Sequence, residues 1–412
     1  MPEASPLFPR RQVIIFALVT AACVAADSML YVVLPVHWED AGLHSLWEVG
    51  LLLSLNRLAR LPLNPVIGWA YSRLSTKTCA ITAALLSVLV ALGYSCAEGL
   101  AAWAILRILW GMSWSILKLG GLFTVMDVSG EHDRGYLIGL YTGTYRLGCL
   151  VGMLGGGILA DIFGLRITAL AGAAIAITAL PMAIFMLRGI APDQRRKISS
   201  SEKTPLRSIL TSPKVLWILL TCLFVTLIIE GFFMSTLSAL LEHHWGDTIS
   251  CFGLALGCAT AAGVIQSLRW GWDPIASPLV GRISDGPLGR VGMFAGGCWA
   301  AALLFALTVL ELPLALWLSI LIGIQMCCTA MTTLSDALAT DAASESQAVV
   351  VITAYTLAID LGAALGPLGG FTVLSVWGMD AAYLAASALL MLFALKWTFR
   401  PPVGRKGLSS RP

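Results

Sequence analysis

Charged side chains occur within stretches of this sequence that are otherwise apolar enough to cross a membrane. A charge at the centre of a bilayer costs roughly 2.5–3.5 kcal/mol on insertion scales, so several together require an explanation. Arginine and lysine could bind the carboxylate or phosphate of an organic solute, and buried carboxylates could take up and release a proton. The cations within the predicted spans are Arg57, Arg60, Arg107, Lys118, Arg146 and Arg269, and the acids are Asp27, Glu230, Asp273 and Asp360.

The spacing of the cations groups them on helix faces. Arg57, Arg60 and Asn64 follow an i, i+3, i+7 pattern, which places them on one side of a helix. Arg107 and Lys118 are close to three whole turns apart and share a face of another helix. Such faces cannot lie against lipid, so we expect them to line a cavity between two halves of the protein. The alternative left open is that the charges form ion pairs that hold one conformation closed.

Two aromatic residues adjoin buried arginines in the sequence. Tyr145 precedes Arg146, and Trp270 follows Arg269. Many aromatic residues of membrane helices only anchor them at the interface or fill space, so packing is the alternative here. The residues predicted to bind substrate are Arg57, Arg60, Asn64, Lys118, Tyr145, Arg146 and Trp270.

The buried acids are candidates for proton coupling. A carboxyl in a low-dielectric interior binds a proton more readily, whereas a nearby arginine favours the carboxylate. This competition can give a group whose protonation changes when substrate binds. Asp27, near the middle of its span, and Glu230 are the main candidates, and a satisfied structural carboxylate is the alternative for Asp27. We expect proton coupling to involve Asp27, Arg107, Glu230 and Asp360.

The elements that must position these residues are membrane helices. Only 12% of the 412 residues are charged and 58% are hydrophobic, whereas soluble chains carry about 25% charged residues. Apolar runs of about 18 residues or more recur, each long enough to cross the hydrocarbon core. Pro274 removes a backbone donor from the eighth run, which we expect to bend or partly unwind. Twelve spans are predicted, at roughly 12–36, 46–71, 78–97, 100–126, 135–159, 167–187, 215–241, 251–281, 291–310, 313–334, 347–375 and 381–399.

Basic residues indicate the orientation of these spans. If the N-terminus is cytoplasmic, nearly all basic residues outside the spans are cytoplasmic too, and Arg166 alone lies on the other side. We therefore predict a multi-pass protein of the cytoplasmic (inner) membrane with both termini inside. The ten cysteines lie mostly in apolar runs, and we interpret them as small apolar residues rather than as disulfides or metal ligands.

The second half of the chain repeats features of the first. The segment Asn64–Gly68 (NPVIG) returns as Ser277–Gly281 (SPLVG), and the glycine pair Gly148/Gly152 returns as Gly362/Gly366. A duplicated polar membrane helix favours two pseudo-symmetric six-helix bundles. The expected domains are an N-terminal bundle at 1–187, a polar cytoplasmic linker at 188–214 and a C-terminal bundle at 215–412.

These motifs make the chain similar to the major facilitator superfamily over nearly its whole length. The loop motif of that family, Gly-x-x-x-Asp-Arg-x-Gly-Arg-Arg/Lys, resembles residues 68–77, where Ser72 stands in the aspartate position. Its second copy resembles residues 281–290 and keeps the aspartate, as Asp285. A fourth-helix motif resembles Arg107–Gly111. The fifth-helix motif, Gly-x-x-x-Gly-Pro-x-x-Gly-Gly, resembles residues 148–157, with Met153 in place of the proline.

The resemblance implies an all-α membrane protein with the twelve-helix fold of that family. The fifth-helix motif is associated with drug:proton antiporters, so export becomes the favoured direction. In those antiporters a helix 1 acid has a coupling role, which Asp27 would take. The loop motifs imply gating positions at Ser72, Arg73, Asp285 and Arg290.

Motifs for other activities are absent from the sequence. There is no Gly-x-x-x-x-Gly-Lys-Ser/Thr loop, no His-Glu-x-x-His and no Gly-x-Ser-x-Gly. We therefore expect no enzyme activity, no cofactor and no nucleic-acid partner, and a monomer whose partners are a small solute, protons and lipid. The function predicted is proton-coupled efflux of an anionic or zwitterionic organic solute. The alternatives are a proton-coupled importer of an organic anion and a membrane sensor that binds ligand without moving it.

Overall fold

A computed structural model describes residues 7–128, 134–188, 213–251, 254–284, 286–287, 289–344 and 348–399. Nearly all of these residues are helical, as the sequence predicts. A two-stranded antiparallel hairpin, β1 (Thr248–Cys251) and β2 (Leu254–Gly257), adds strand to an otherwise helical chain. Contacts divide the chain into two compact units, which are described separately: unit 1 comprises 1–200 and 237–270, and unit 2 comprises 201–236 and 271–412. The expected 188–214 linker lies largely outside the described residues.

In the first part of the chain, the residues that the structure describes fold into eight helices that belong to unit 1. Two spans that the sequence predicts as continuous are each divided into two helices. The first predicted span is divided at Met29 and the second at Ala59. Pro62 explains the break at Ala59, because a proline there removes the hydrogen bond to the carbonyl of Leu58. The helices are α1 (Leu7–Ser28), α2 (Leu30–Val33), α3 (Leu46–Leu58), α4 (Arg60–Tyr71), α5 (Thr76–Tyr94), α6 (Leu100–Val128), α7 (Arg134–Ile177) and α8 (Ala179–Pro181), followed by a π-helical turn (Met182–Met186).

The remaining helices form unit 2, except that α10 and α11 each continue from one unit into the other. A π-helical turn (Leu227–Phe233) separates the first two of them. Such turns are wider than α-helix and are frequent at functional sites. The helices are α9 (Pro213–Thr226), α10 (Met234–Trp245), α11 (Cys258–Ser284), α12 (Gly289–Leu307), α13 (Leu314–Ser344), α14 (Ala348–Trp377) and α15 (Met379–Phe399).

Nine helical stretches of the described residues are long and apolar enough to cross a membrane, so the predicted number of twelve is not established. The stretch Tyr136–Met186 covers two predicted spans, which meet at Gly164, where φ is 78°. Only glycine adopts such a conformation readily. The predicted start of the eighth span at 251 is wrong, because Cys251 and Leu254–Gly257 belong to the hairpin and α11 begins at Cys258. Its predicted unwinding is also wrong, since α11 runs through Pro274 as one helix.

Glycines spaced four apart bring α7 directly onto α1. A Cβ added at Gly148 or Gly152 would run into the backbone of Ala21 or Ala25, respectively. Gly156 meets Met29, just beyond the end of α1, in the same way, so about two turns of α7 lie against α1 and the residue that follows it. Small residues allow this approach in lipid, where no hydrophobic effect drives helices together. The glycine motif therefore has a packing role within unit 1.

The duplicated glycines make the equivalent contact in unit 2. A Cβ at Gly362 would collide with the carbonyl of Leu223, and one at Gly366 with Gly231 and Leu227. The contact joins α14 to α9 and to the π-helical turn that follows it. The same helix pair is thus built in the same way in both units, which supports the duplication inferred from sequence.

We expect Gly152→Leu to destabilise unit 1 by about 3 kcal/mol, at the upper end of what overpacking costs. The added side chain has no space, because the carbonyl of Ala25 and the hydroxyl of Ser28 occupy its position. The measurement is the midpoint of thermal unfolding in detergent. Gly155→Leu is the matched control, since nothing lies within 4 Å of a Cβ at Gly155. Equal midpoints for the two variants would contradict the packing role.

Candidate functional site

A buried ion pair lies at the centre of unit 1. The Asp27 carboxylate accepts a hydrogen bond from the Arg107 guanidinium, and both side chains are at least nine-tenths buried. The Tyr94 hydroxyl donates to the same carboxylate oxygen at 3.1 Å and lies 3.3 Å from Nη1 of Arg107. Residues from α1, α5 and α6 therefore meet in one polar cluster, which removes these charges from lipid as the sequence requires.

Close packing of α6 against α3 fixes the position of Arg107. Its Nε donates to the carbonyl of Leu52 at 3.0 Å. One turn further along, Gly111 has no space for a side chain because the Asn56 carbonyl lies against it. The Arg-x-x-x-Gly pattern therefore has a physical basis: the glycine lets the helices approach, and the arginine then reaches both a backbone carbonyl and Asp27.

Two further arginines lie beside this pair, at the interruption between α3 and α4. Nε of Arg57 donates to the Tyr31 hydroxyl at 3.4 Å. Arg60 is close enough to act electrostatically on Asp27. Both arginines are partly buried. The predicted i, i+3 face thus points toward the acid of the first helix.

Aromatic rings on α6 and α7 lie next to these arginines. The Arg60 guanidinium carbon lies 5.5 Å from the centroid of Trp114, which contacts Tyr145 edge to face at 5.4 Å. The Arg146 guanidinium lies 5.3 Å from the ring of Trp270. Guanidinium groups within about 6 Å of a ring are attracted to its face. Of the predicted substrate residues, Arg60, Arg146 and Trp270 thus take part in arginine–aromatic contacts, and Tyr145 contacts the ring beside Arg60.

The other two predicted substrate residues lie further along their helices. Asn64 is partly buried on α4, and Lys118 is exposed on α6. No described hydrogen bond joins either of them to the Asp27–Arg107 pair. Their assignment stays a prediction from helical spacing.

Unit 2 contains a second acidic cluster, which the sequence reveals only in part. Glu230 lies in the π-helical turn, and the Tyr355 hydroxyl donates to Oδ1 of Asp336 at 2.5 Å. Glu230 and Asp336 both act electrostatically on Tyr355, so all three are close together. Asp336 escaped prediction because the tenth span was expected to end at 334, whereas α13 continues to Ser344. The other predicted coupling acid, Asp360, is partly buried on α14.

Asp273 belongs to a satisfied hydrogen-bonded chain in unit 2. The Thr329 hydroxyl donates to its Oδ1 at 2.5 Å, and the Trp272 indole donates to that hydroxyl at 3.1 Å. A buried carboxylate held in this way has an evident structural role. This arrangement favours the structural interpretation of Asp273.

Comparison with known proteins decides the family. The model of the Major Facilitator Superfamily matches residues 16–367, which is most of the chain. The chain belongs to the Major Facilitator Superfamily. It is accordingly a multi-pass membrane transporter and not an enzyme, as the sequence predicts.

Relatives of this superfamily member include two proteins named multidrug resistance protein MdtG. The one from Enterobacter lignolyticus is 25% identical over 387 residues, covering 91% of this chain and 88% of its own length. The one from Klebsiella pneumoniae is 26% identical over 385 residues, with 90% and 89% covered. The two names describe those proteins, and the similarity extends over nearly the full length of each.

Solved structures of the same superfamily fold resemble this chain as well. The nucleoside transporter NupG matches with a TM-score of 0.77 and 12% identity, covering 95% of this chain and 98% of NupG. A POT family transporter in complex with a thioalcohol-conjugated peptide matches with a TM-score of 0.72 and 13% identity, covering 97% and 96%. At these identities the likeness is one of fold alone.

The superfamily loop motifs can be located in part. The Ser72 hydroxyl donates to the carbonyl of Trp69 at 2.7 Å, and the Arg73 guanidinium lies 4.5 Å from the Trp69 ring. Arg290 forms an ion pair with Asp341 at 2.6 Å. Asp285 lies outside the described residues. The gating roles of these four residues stay predictions.

Proposed function

We propose that this superfamily member exports a small zwitterionic organic solute in exchange for protons. In this proposal twelve spans form two six-helix bundles that alternate access to the site, and both termini are cytoplasmic. The observation that carries it is the buried Asp27–Arg107 pair beside the surface formed by Arg57, Arg60, Trp114 and Tyr145.

Asp27 is the residue we assign to the proton. A buried ion pair is costly to break by removing one charge, because the other is then uncompensated at a cost of about 3–5 kcal/mol. Protonation of Asp27 therefore has to be accompanied by a new partner or position for Arg107. That requirement links the proton to a change in helix arrangement, which is what coupled transport needs.

The arginines are assigned to the acidic end of the substrate. A guanidinium stacked on a ring uses its face, so its N–H donors project from the edge in the fork that carboxylate and phosphate accept. The Arg60 guanidinium carbon lies 5.5 Å from the centroid of the Trp114 ring, so the edge of the group is left for such an acceptor. The adjoining rings of Trp114 and Tyr145 offer a flat apolar contact for the remainder of the solute.

The charge of the solute decides whether the proton and the solute can be bound at the same time. A proton and a substrate ammonium are both stabilised by the Asp27 carboxylate, so a zwitterion can bind its ammonium only when the proton leaves. A solute that is purely anionic binds better when Asp27 is neutral, and it would accompany the proton. Exchange therefore favours a zwitterion.

A second candidate function follows from the same argument. Mid-span cations outnumber mid-span acids in the first half of the chain, which favours cotransport of an organic anion with a proton, and hence import. The names of the relatives favour export instead, since both are described as multidrug resistance proteins. The direction in which a proton gradient drives the solute distinguishes the two.

We expect Arg57→Gln and Arg60→Gln each to reduce transport of a zwitterion by about tenfold or more, because each removes a charged hydrogen bond worth about 1.5–3 kcal/mol. The measurement is counterflow in proteoliposomes with three solutes of matched ring: the zwitterion para-aminomethylbenzoate, the anion para-methylbenzoate and the cation benzylamine. Wild-type protein should prefer the zwitterion, and neither variant should.

Arg166→Gln is the matched control, because Arg166 is exposed and pairs with Glu98 away from the cluster. Its counterflow should equal that of the wild type. Wild-type preference for benzylamine, or unchanged counterflow in both arginine variants, would contradict the proposed substrate class.

A further inference from the structure

A second row of residues on α7 packs against α11, whereas Gly148, Gly152 and Gly156 pack against α1. Met153, Gly157 and Asp161 also recur every four residues, and they face the start of α11. A Cβ at Gly263 would run into the carbonyl of Met153, and one at Gly157 into the carbonyl of Ala259. The two backbones therefore run against each other in opposite directions over about two turns.

The row ends in a carboxylate at the N-terminus of α11. Oδ2 of Asp161 accepts a hydrogen bond from the backbone N–H of Thr260 at 2.7 Å. Thr260 is the third residue of that helix, so its N–H has no acceptor within the helix. A Cβ at Gly257, the last residue of the hairpin, would collide with the same carboxylate.

The bond between Asp161 and the N–H of Thr260 is favourable for two electrostatic reasons. A carboxylate at a helix N-terminus satisfies an N–H that otherwise lacks a partner and interacts favourably with the helix dipole. It is supplied here by another helix, 99 residues away in sequence. It therefore joins α7 to α11, whereas an ordinary cap joins a helix only to its own preceding residue.

We propose that Asp161 is a latch that holds the non-cytoplasmic ends of α7 and α11 together. This inference rests on the proposed function, in which the protein alternates access and both termini are cytoplasmic. In that orientation the end of the predicted span 135–159, which is part of α7, and the start of α11 lie on the non-cytoplasmic side. The outward-open state requires these ends to separate, so the bond is made in one access state and lost in the other. Asp161 thereby sets the ratio of the two states.

The experiment uses a native reporter of that separation. The side chain of Cys258, the first residue of α11, is 1% exposed. In a chain whose other cysteines are replaced by alanine, its reaction with a membrane-impermeant maleimide on intact cells reports opening. We expect Asp161→Asn to raise the labelling rate about tenfold, because the loss of a charged cap changes a two-state ratio by a factor of roughly 5–30.

A second variant removes the other half of the bond. Thr260→Pro deletes the donating N–H but leaves the carboxylate, and proline is tolerated in the first turn of a helix. It should raise labelling as Asp161→Asn does, and the double variant should not exceed either single change, because both act on one bond. Thr260→Pro keeps the Asp161 charge beside the Cys258 thiol, so a rise in its labelling reports opening rather than a change in thiol reactivity, and this variant decides the test.

Asp40→Asn is the matched control, since this outward carboxylate is exposed and interacts with His37 rather than with a helix N-terminus. Unchanged labelling in both latch variants, or an equal rise in the control, would overturn the latch. Labelling that occurs only in inverted vesicles would instead contradict the proposed orientation, so the two failures are distinguishable.

Discussion

Asp27→Asn abolishes transport driven by a pH gradient, by about 100-fold or more, whereas the protein that remains folded still performs counterflow of the same solute. The uncompensated Arg107 charge lowers the free energy of unfolding of this variant, as in any variant that removes one charge of the pair. Asparagine keeps the shape of the side chain and can still accept from Arg107 and Tyr94, the two donors to this carboxylate. It can neither take up nor release a proton. The measurement is solute flux in proteoliposomes, first with an imposed pH gradient and then with solute alone on both sides.

This result separates coupling from binding. Counterflow needs only the solute site and the change of access, whereas gradient-driven flux also needs the proton. Asp40→Asn should leave both kinds of flux unchanged, since Asp40 is exposed and interacts with His37. Gradient-driven transport by Asp27→Asn at the wild-type rate would exclude Asp27 as the coupling residue.

Arg107→Leu is the second substitution with a large expected effect, and it acts on stability. It leaves the Asp27 carboxylate buried without its cation, and we expect the free energy of unfolding to fall by about 3–5 kcal/mol. The double variant Asp27→Asn with Arg107→Leu removes both charges, so much of that loss should be recovered. The measurement is the unfolding midpoint of each variant in detergent.

The double variant also tests what the pair is for. We expect it to fold without any coupling to the pH gradient, because a structural pair can be replaced by apolar or neutral groups but a proton site cannot. A double variant as unstable as Arg107→Leu would show that Arg107 stabilises unit 1 mainly through the carbonyl of Leu52 rather than through Asp27.

The helices and the glycine contacts were accessible from sequence because both follow local rules. Apolar runs report span length directly, and glycines four apart report a helix contact. The partner of each glycine was not accessible, since nothing in the spacing of Gly148 and Gly152 names Ala21 and Ala25. The structure supplies it, and it also shows that Met153 and Gly157 face a different helix from the glycines beside them.

The sequence identifies Asp27 and Arg107 as separate candidates, but it does not predict that they contact each other. Asp27 and Arg107 were each assigned to coupling, yet they are 80 residues apart, and no helical period links them. Tyr94, which completes the cluster, lies at the end of a span where an aromatic residue usually indicates an interface anchor. Its hydrogen bond to Asp27 depends on how α5 packs, which is a tertiary property.

Two errors came from boundaries. The apolar segment at 251–257 was assigned to a membrane span, but Cys251 and Leu254–Gly257 lie in the hairpin and the helix begins only at Cys258. The tenth span was ended too early, which placed Asp336 outside it and hid the cluster with Glu230 and Tyr355. Hydropathy locates the centre of a span well but not its ends.

Proton movement on solute binding tests the central claim most directly. Purified protein in weakly buffered detergent solution, with a pH-sensitive dye, is mixed with para-aminomethylbenzoate at saturating concentration. At a pH where Asp27 is protonated before the solute is added, exchange at Asp27 predicts net proton release on solute binding by the wild type and none by Asp27→Asn. Uptake of protons by the wild type, or binding with no proton movement, would contradict the account.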